Sequence, residues 1–196
     1  KTYVRLLPEK GGDPEFLRRF GERAAPELDR MEGILNNILE GASGRQRARE
    51  AVRLDAIAEA TLDFFSEEFA RRGVAAVRDW SGPVPPLRGD PGQIRQGFQI
   101  LIQNAVQAME GGWRLRIGLR AEADALHVEV ADSGPGIPPG HLVDLFRPFA
   151  STKPTGTGLG LAISRRIVQQ HGGSIRVESA PGHGTAFFIV FPLETS

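Results

Sequence analysis

Between residues 24 and 42 the apolar side chains Ala24, Leu28, Met31, Leu35, Ile38 and Ala42 recur at alternating steps of four and three. That is an a/d seam, the spacing with which one helix packs lengthwise on others, and it predicts a long helix over residues 13–43. Asp13 is placed to cap this helix and Pro14 to occupy its first turn. Pro26 interrupts it, at a cost of roughly 3 kcal/mol and a bend in the axis. Residues 3–7 read as the end of an earlier helix, with Pro8-Glu-Lys-Gly-Gly-Asp-Pro14 as the loop between the two. A lone helix of this length leaves its seam exposed. The pattern therefore implies a four-helix bundle made by dimerisation, or else an intramolecular helical hairpin.

After an arginine-rich join at residues 44–50 the periodicity changes. Residues 51–54 read as a short strand, and residues 55–72 as a helix capped by Asp55. A strand follows at 74–79, then a proline-rich loop through Pro86, then a helix over 91–109 capped by Asp90. Residues 113–121 and 126–131 alternate apolar and polar positions with period two on either side of an Ala-Asp turn, which marks a strand pair. A helix over 159–170 is embedded in a glycine-rich zone. Strands at 174–179 and 185–191 flank a Pro-Gly-His-Gly loop. Helices and strands that are not regularly interleaved predict a mixed sheet with helices on one face, α+β in class. The organisation expected is a helical hairpin part at 1–44 and a second domain at 45–196.

Composition narrows the function classes. Basic and acidic residues balance at 24 each, so the overall charge gives no sign of a nucleic-acid or membrane-surface partner. There is no cysteine, which excludes disulfides and thiolate metal sites. The longest apolar stretch, residues 186–191, is too short to cross a bilayer. Arg5 and Pro8 interrupt the first residues as a signal peptide, and a cytoplasmic location is expected. Glycine accounts for 24 of 196 residues, above the usual ~7%, and ten of these glycines lie between Gly134 and Gly184. Of the basic residues only Lys1, Lys10 and Lys153 are lysine, so Lys153 stands alone inside that glycine-rich zone.

Four features carry candidate chemistry. Asn104 lies on the 91–109 helix, whose apolar face includes Ile94, Phe98, Leu101, Ile102, Ala105 and Met109, while Ile100, Asn104 and Gln107 share another side. Its amide oxygen is a suitable hard ligand for Mg²⁺, although alone it reads as a helix-surface asparagine. The stretch Asp132-Ser-Gly-Pro-Gly-Ile137 delivers a carboxylate to the end of a strand and then turns through two glycines. Such a carboxylate can accept from an exocyclic amine, and the glycines let backbone approach a flat base; alone, this is a turn. The run from Phe146 to Gly160 begins with two aromatics that can anchor a loop and ends with Gly156, Gly158 and Gly160 leading into a helix. That ending aims backbone N–H groups and a positive helix end at an anion, and Lys153 adds a charge suited to phosphate. Gly182-His-Gly-Thr-Ala-Phe187 alone is a hairpin turn.

Taken together and in this order, these pieces resemble the N, first glycine, F, second glycine and third glycine boxes of the histidine kinase catalytic domain. That domain is part of the superfamily shared with gyrase, Hsp90 and MutL-type ATPases. Asn104-Ala-Val-Gln-Ala108 matches half of the N box. Asp132 to Ile137, Phe146-Arg-Pro-Phe149 with Ser151-Thr-Lys153, Gly156-Thr-Gly-Leu-Gly-Leu-Ala162 and Gly182 to Phe187 match the others. The resemblance implies a two-layer α/β sandwich, a mixed sheet backed by three helices, that binds ATP and Mg²⁺. It implies that Asp132 binds the adenine amine and that Asn104 ligates the metal. Gly156, Thr157, Gly158, Leu159, Gly160 and Leu161, with Lys153, would hold the phosphates. Gln107, Gly134, Gly136, Ile137 and Thr185 would complete the site, and residues 138–157 would form a lid. The partners implied are a second copy, through the hairpin, and the receiver domain of a response regulator.

Two departures stand out. The family carries an asparagine one turn before Asn104, where this chain has Ile100. The phospho-accepting histidine of the family lies early in the first hairpin helix, a position expected about a dozen residues before Lys1. His127, His141, His171 and His183 all fall elsewhere. The chain is therefore expected to bind ATP without phosphorylating itself. A serine kinase of the anti-sigma type, or a nucleotide-binding protein without catalysis, are alternatives on the same fold.

Overall fold

The computed structural model describes residues 12–22, 49–80, 82–109, 112–122, 124–150 and 157–193. Contacts divide the chain into two compact units, residues 1–45 with 151–157 and residues 46–150 with 158–196. In the first unit residues 14–22 are helical. Asp13 caps them as expected, its Oδ1 accepting from the N–H of Glu15 at 2.9 Å. Pairs Arg18–Glu22 and Arg19–Glu15, one turn apart, run along the exposed side. The a/d seam and Pro26 lie outside the described residues.

The second unit runs β1 (Glu50–Val52), α1 (Leu54–Phe64), α2 (Ser66–Arg72), β2 (Ala75–Asp79), β3 (Leu87–Gly89), α3 (Pro91–Ala108), β4 (Arg114–Glu122), β5 (Ala125–Asp132), α4 (Pro139–Leu142), α5 (Gly160–Gln170), β6 (Ser174–Ser179) and β7 (Thr185–Pro192). Period-two alternation places Leu115, Ile117 and Leu119 of β4, Leu126, Val128 and Val130 of β5, and Phe187, Ile189 and Phe191 of β7 on one buried face. The register sets Val128 between Leu119 and Ile189, so the apolar rows line up across three strands. With β2 parallel to β4 and β6 antiparallel to β7, the sheet order is β2-β4-β5-β7-β6. Leu54, Ile57 and Leu62 of α1, Ile94, Phe98 and Leu101 of α3, and Val168 of α5 share one core with that face. The other face bears charge: Arg116 lies 3.0 Å from Asp79 and pairs across the strands with Glu129. The second unit is thus the expected α+β sandwich, a mixed sheet backed by helices.

Three details differ from the sequence reading. The helix expected over 55–72 breaks at Phe65. Thr61 Oγ1 donates to the Ile57 carbonyl at 2.7 Å, a back-bond that competes with the helix ladder, and Phe65 then leaves helical geometry at ψ 3°. Asp55 does not cap this helix. Arg53 holds the cap position, and its Nε lies 2.9 Å from Asp55 Oδ1. This hydrogen bond keeps the Asp55 carboxyl below the usual carboxylate range. Finally, the proline-rich loop runs into β3, which pairs antiparallel with β1 and sets Leu87 opposite Val52, both buried.

Candidate functional site

β5 ends on Asp132, and the residues around it fix its carboxylate. Asp132 Oδ1 accepts from the N–H of Gly134 at 2.8 Å and of Thr185 at 3.3 Å. Gly134 is buried against this group: a Cβ there would lie 2.7 Å from Asp132 Oδ1, 3.2 Å from Trp113 Cζ3 and 3.5 Å from Met109 Cγ. The turn therefore presses on the Trp113 ring and on the end of α3. Gly136 and Gly184 have φ of +73° and +79°, and a Cβ on either would meet a backbone carbonyl oxygen at 2.0 and 1.9 Å, that of Ala180 and that of Asp132. Only glycine fits such positions. Ser179 Oγ accepts from the Ile137 N–H at 2.8 Å and donates to the Gly184 carbonyl at 2.7 Å, with Thr185 Oγ1 3.0 Å away. Asp132, Gly134, Gly136, Ile137 and Thr185 are thus one cluster, and the turn at 182–184 is its wall.

A second cluster forms where α3 and α5 touch. Gly160 opens α5, and a Cβ on it would lie 3.1 Å from Ile100 Cγ2 and 4.0 Å from Asn104 Nδ2. One turn on, Ser164, fully buried, donates to the Gly97 carbonyl at 3.4 Å, and Ile167 packs on Gly97 as well. Rising numbers on α5 meet falling numbers on α3, so the helices run antiparallel, and Asn104 faces the N-terminus of α5. That N-terminus has no side-chain cap hydrogen bond and no acidic residue in its first turn, in contrast to α3, where Asp90 Oδ1 accepts from Gly92 and Gln93. The positive end of the α5 dipole is a place where negative charge is favourable. Leu159 is buried and Leu161 packs against the core, which seats the start of the helix. Gln107 is exposed, one turn beyond Asn104.

The aromatic run and the glycine run meet at their ends. The Phe149 N–H donates to the Gly158 carbonyl at 2.9 Å, and a Cβ on Gly158, at φ +67°, would lie 2.4 Å from the Phe149 carbonyl carbon. Phe149 itself has φ 67°, a strained conformation for a bulky side chain, and is 61% exposed. Phe146 is the anchor: it packs edge-on to Phe187 at 6.3 Å, and the Arg165 guanidinium carbon is 5.6 Å from its ring centroid. Lys153 and Gly156 lie outside the described residues, and Thr157 belongs to the first unit.

Sequence reasoning missed Ser179, Trp113 and the packing of Ile100 on Gly160. Ser179 ends a strand where serine is ordinary, and nothing in its neighbours signals three polar contacts. Trp113 reads only as the start of an alternating strand. Met109 reads as part of an apolar helix face, not as the floor beneath a turn at Gly134.

Comparison with known proteins agrees with this fold. The family described as histidine kinase-, DNA gyrase B-, and HSP90-like ATPase matches residues 89–195. The signal transduction histidine-protein kinase AtoS of Escherichia coli is 30% identical over 194 residues, 98% of this chain and 32% of its own. The chain spans about a third of the length of that relative. Among solved structures, full-length ShkA in complex with AMPPNP superposes with a TM-score of 0.78 at 26% identity, over 88% of this chain and 37% of that one. Histidine kinase ThkA in complex with the response regulator protein TrrA does so with a TM-score of 0.75 at 27% identity, over 93% and 53%.

Proposed function

Because this chain belongs to the histidine kinase-, DNA gyrase B- and HSP90-like ATPase family, we propose that it is the ATP-binding catalytic part of a two-component sensor histidine kinase. The observation that supports this reading is the meeting of Asn104 with the N-terminus of α5, which has no side-chain cap hydrogen bond and no acidic residue in its first turn, two features 56 residues apart in the chain. An anion would be favoured there, and an amide oxygen beside it would suit Mg²⁺, which takes few protein ligands and keeps its waters. Asn104, with Gln107 near it, would hold the metal. The backbone of Gly156, Thr157, Gly158, Leu159, Gly160 and Leu161, with Lys153, would hold the phosphates. A bound Mg²⁺ would neutralise charge on the phosphate oxygens.

At the other end, Asp132, its carboxylate oriented by the N–H groups of Gly134 and Thr185, would accept from the exocyclic amine of adenine. Gly134, Gly136, Ile137 and Thr185 would let main chain approach the base. Five residues separate Asn104 from Met109, roughly 7.5 Å along a helix axis, so α3 underlies the site from its phosphate end to its base end.

The phosphate would pass to a histidine on a dimerisation hairpin, of which residues 1–44 would supply the trailing part, and from there to the receiver domain of a response regulator. ThkA has been solved with such a partner. No helix among the described residues is long and apolar enough to cross a membrane, and the reaction would run in the cytoplasm, where ATP is. None of the four histidines of the chain is the acceptor in this reading.

Isothermal titration with a non-hydrolysable ATP analogue and Mg²⁺ tests the proposal. Binding is expected, and Asp132→Asn should weaken it about ten- to a hundredfold, the worth of a hydrogen bond to a charged acceptor. No heat, together with no effect of Asp132→Asn, would overturn the assignment.

A further inference from the structure

The residue that departs from the family pattern has a place in the structure. Ile100 lies one turn before Asn104 and is half-buried. Its Cγ2 is the nearest atom to the vacant Cβ direction of Gly160, at 3.1 Å, and Asn104 Nδ2 is the next, at 4.0 Å. Gly160 has no positive φ and therefore no backbone need to be glycine. What a side chain there would meet is Ile100. Further along the same seam, Gly97 and Ser164 bring the two helices close, with Ile167 against Gly97. Ile100 is the one bulky α3 side chain at the Gly160 end of this run of close contacts.

We propose that Ile100 is a positioning residue for the phosphate end of the nucleotide: packed on Gly160, it sets how closely the N-terminus of α5 approaches Asn104. This rests on the nucleotide site proposed above. The metal-facing amide and the phosphate-facing backbone belong to different helices, and their separation is set by whatever lies between them. A branched aliphatic side chain is a stiff spacer, because its χ1 is restricted in a helix. Well-packed interiors transmit small changes of volume instead of absorbing them. A change at Ile100 or Gly160 therefore shifts the anion-binding amides relative to Asn104 without touching the base end at Asp132.

The test is a double-mutant cycle read with two ligands. Adenosine, followed by ligand-detected NMR, reports the base end; the Mg²⁺ complex of a non-hydrolysable ATP analogue, followed by calorimetry, reports both ends. Gly160→Ala should weaken the analogue about tenfold while leaving adenosine within about twofold. Ile100→Ala alone, which removes the spacer and adds no bulk, should show the same selective loss. Combined, the two changes should restore most of the analogue affinity, because the new methyl occupies space the isoleucine vacated. Additive losses in the double variant, or equal losses for both ligands, would overturn the proposal. Should Gly160→Ala fail to fold, Ile100→Ala with both ligands still decides it: an unchanged ratio of affinities refutes a positioning role. A wild-type chain that binds neither ligand would instead refute the nucleotide site itself.

Discussion

Ser179 shows how much a single hydroxyl can organise. It joins the N–H of Ile137 to the carbonyl of Gly184, tying the turn after Asp132 to the start of β7. The same two segments supply the Gly134 and Thr185 amides that orient the Asp132 carboxylate. Removing the hydroxyl leaves a part-buried N–H and carbonyl without that partner, and such losses cost about 1–3 kcal/mol. Ser179→Ala should therefore lower stability by that amount in urea denaturation. It should also weaken adenosine, because Asp132 loses its frame, whereas variants of the phosphate end should spare adenosine. A Ser179→Ala protein that melts lower yet binds adenosine as before would separate the hydroxyl from the base site. At this scale the sequence is informative where geometry is restrictive. Gly136 and Gly184 announce themselves because positive φ and a close carbonyl admit no side chain. A serine at a strand end announces nothing, since its partners are set by a fold that brings residues 137 and 179 together.

Among the elements, α5 carries opposite assignments at its two ends. Its N-terminus carries no side-chain cap hydrogen bond and is the proposed phosphate end, while its C-terminus is held by the protein itself. His171 Nδ1 lies 2.7 Å from the Ile167 carbonyl, and His171 Nε2 accepts from the Asp90 N–H at 3.0 Å. This pairing requires the tautomer protonated on Nδ1. Arg49 adds a bond to the Gln170 carbonyl at 2.6 Å. His171 is buried, and it joins the end of α5 to the cap of α3. His171→Leu keeps the bulk but strands the Asp90 N–H, so it should cost about 1–3 kcal/mol of stability. Affinity for an ATP analogue should stay within about twofold, since His171 lies at the far end of α5 from Gly160. A tenfold loss of affinity without loss of stability would place His171 in the binding machinery. Of the elements, α3 was legible because Asp90-Pro91 states its start and the apolar spacing states its face. The break between α1 and α2 was not, because neither proline nor glycine marks it. β3 is three residues long, too short to show a period, and it exists because β1 is there to pair with it.

For the whole molecule, the proposed transfer makes the placement of the histidines decisive. The hydrophobic core of the second unit draws on residues from Val52 to Phe191, and the proposed site would be built from α3, α5 and the turns beside β5 and β7. In the proposed reading none of the four histidines would be the phosphate acceptor. His171 has both ring nitrogens engaged within the core. His127 is opposite Val190, five residues back along β5 from Asp132, which is roughly 17 Å of strand. His183 is exposed in the turn beside Gly182 and Gly184, at the proposed base end, whereas the proposed phosphate end is at Gly160 and Asn104. His141 is exposed on the four-residue helix α4. These positions were legible in the sequence as lying off the hairpin, but only the tertiary structure shows that His171 is part of the core. Incubated with γ-labelled ATP and Mg²⁺, the chain should bind nucleotide and acquire no acid-labile label. Adding a separate protein that carries a histidine-bearing dimerisation hairpin should bring label onto that protein, and Asp132→Asn should reduce the transfer about as much as it reduces binding. Label on any of the four histidines here would mean that the chain holds its own acceptor. Acid-stable label would point instead to the serine kinase alternative, because a phosphoserine survives conditions that hydrolyse a phosphohistidine.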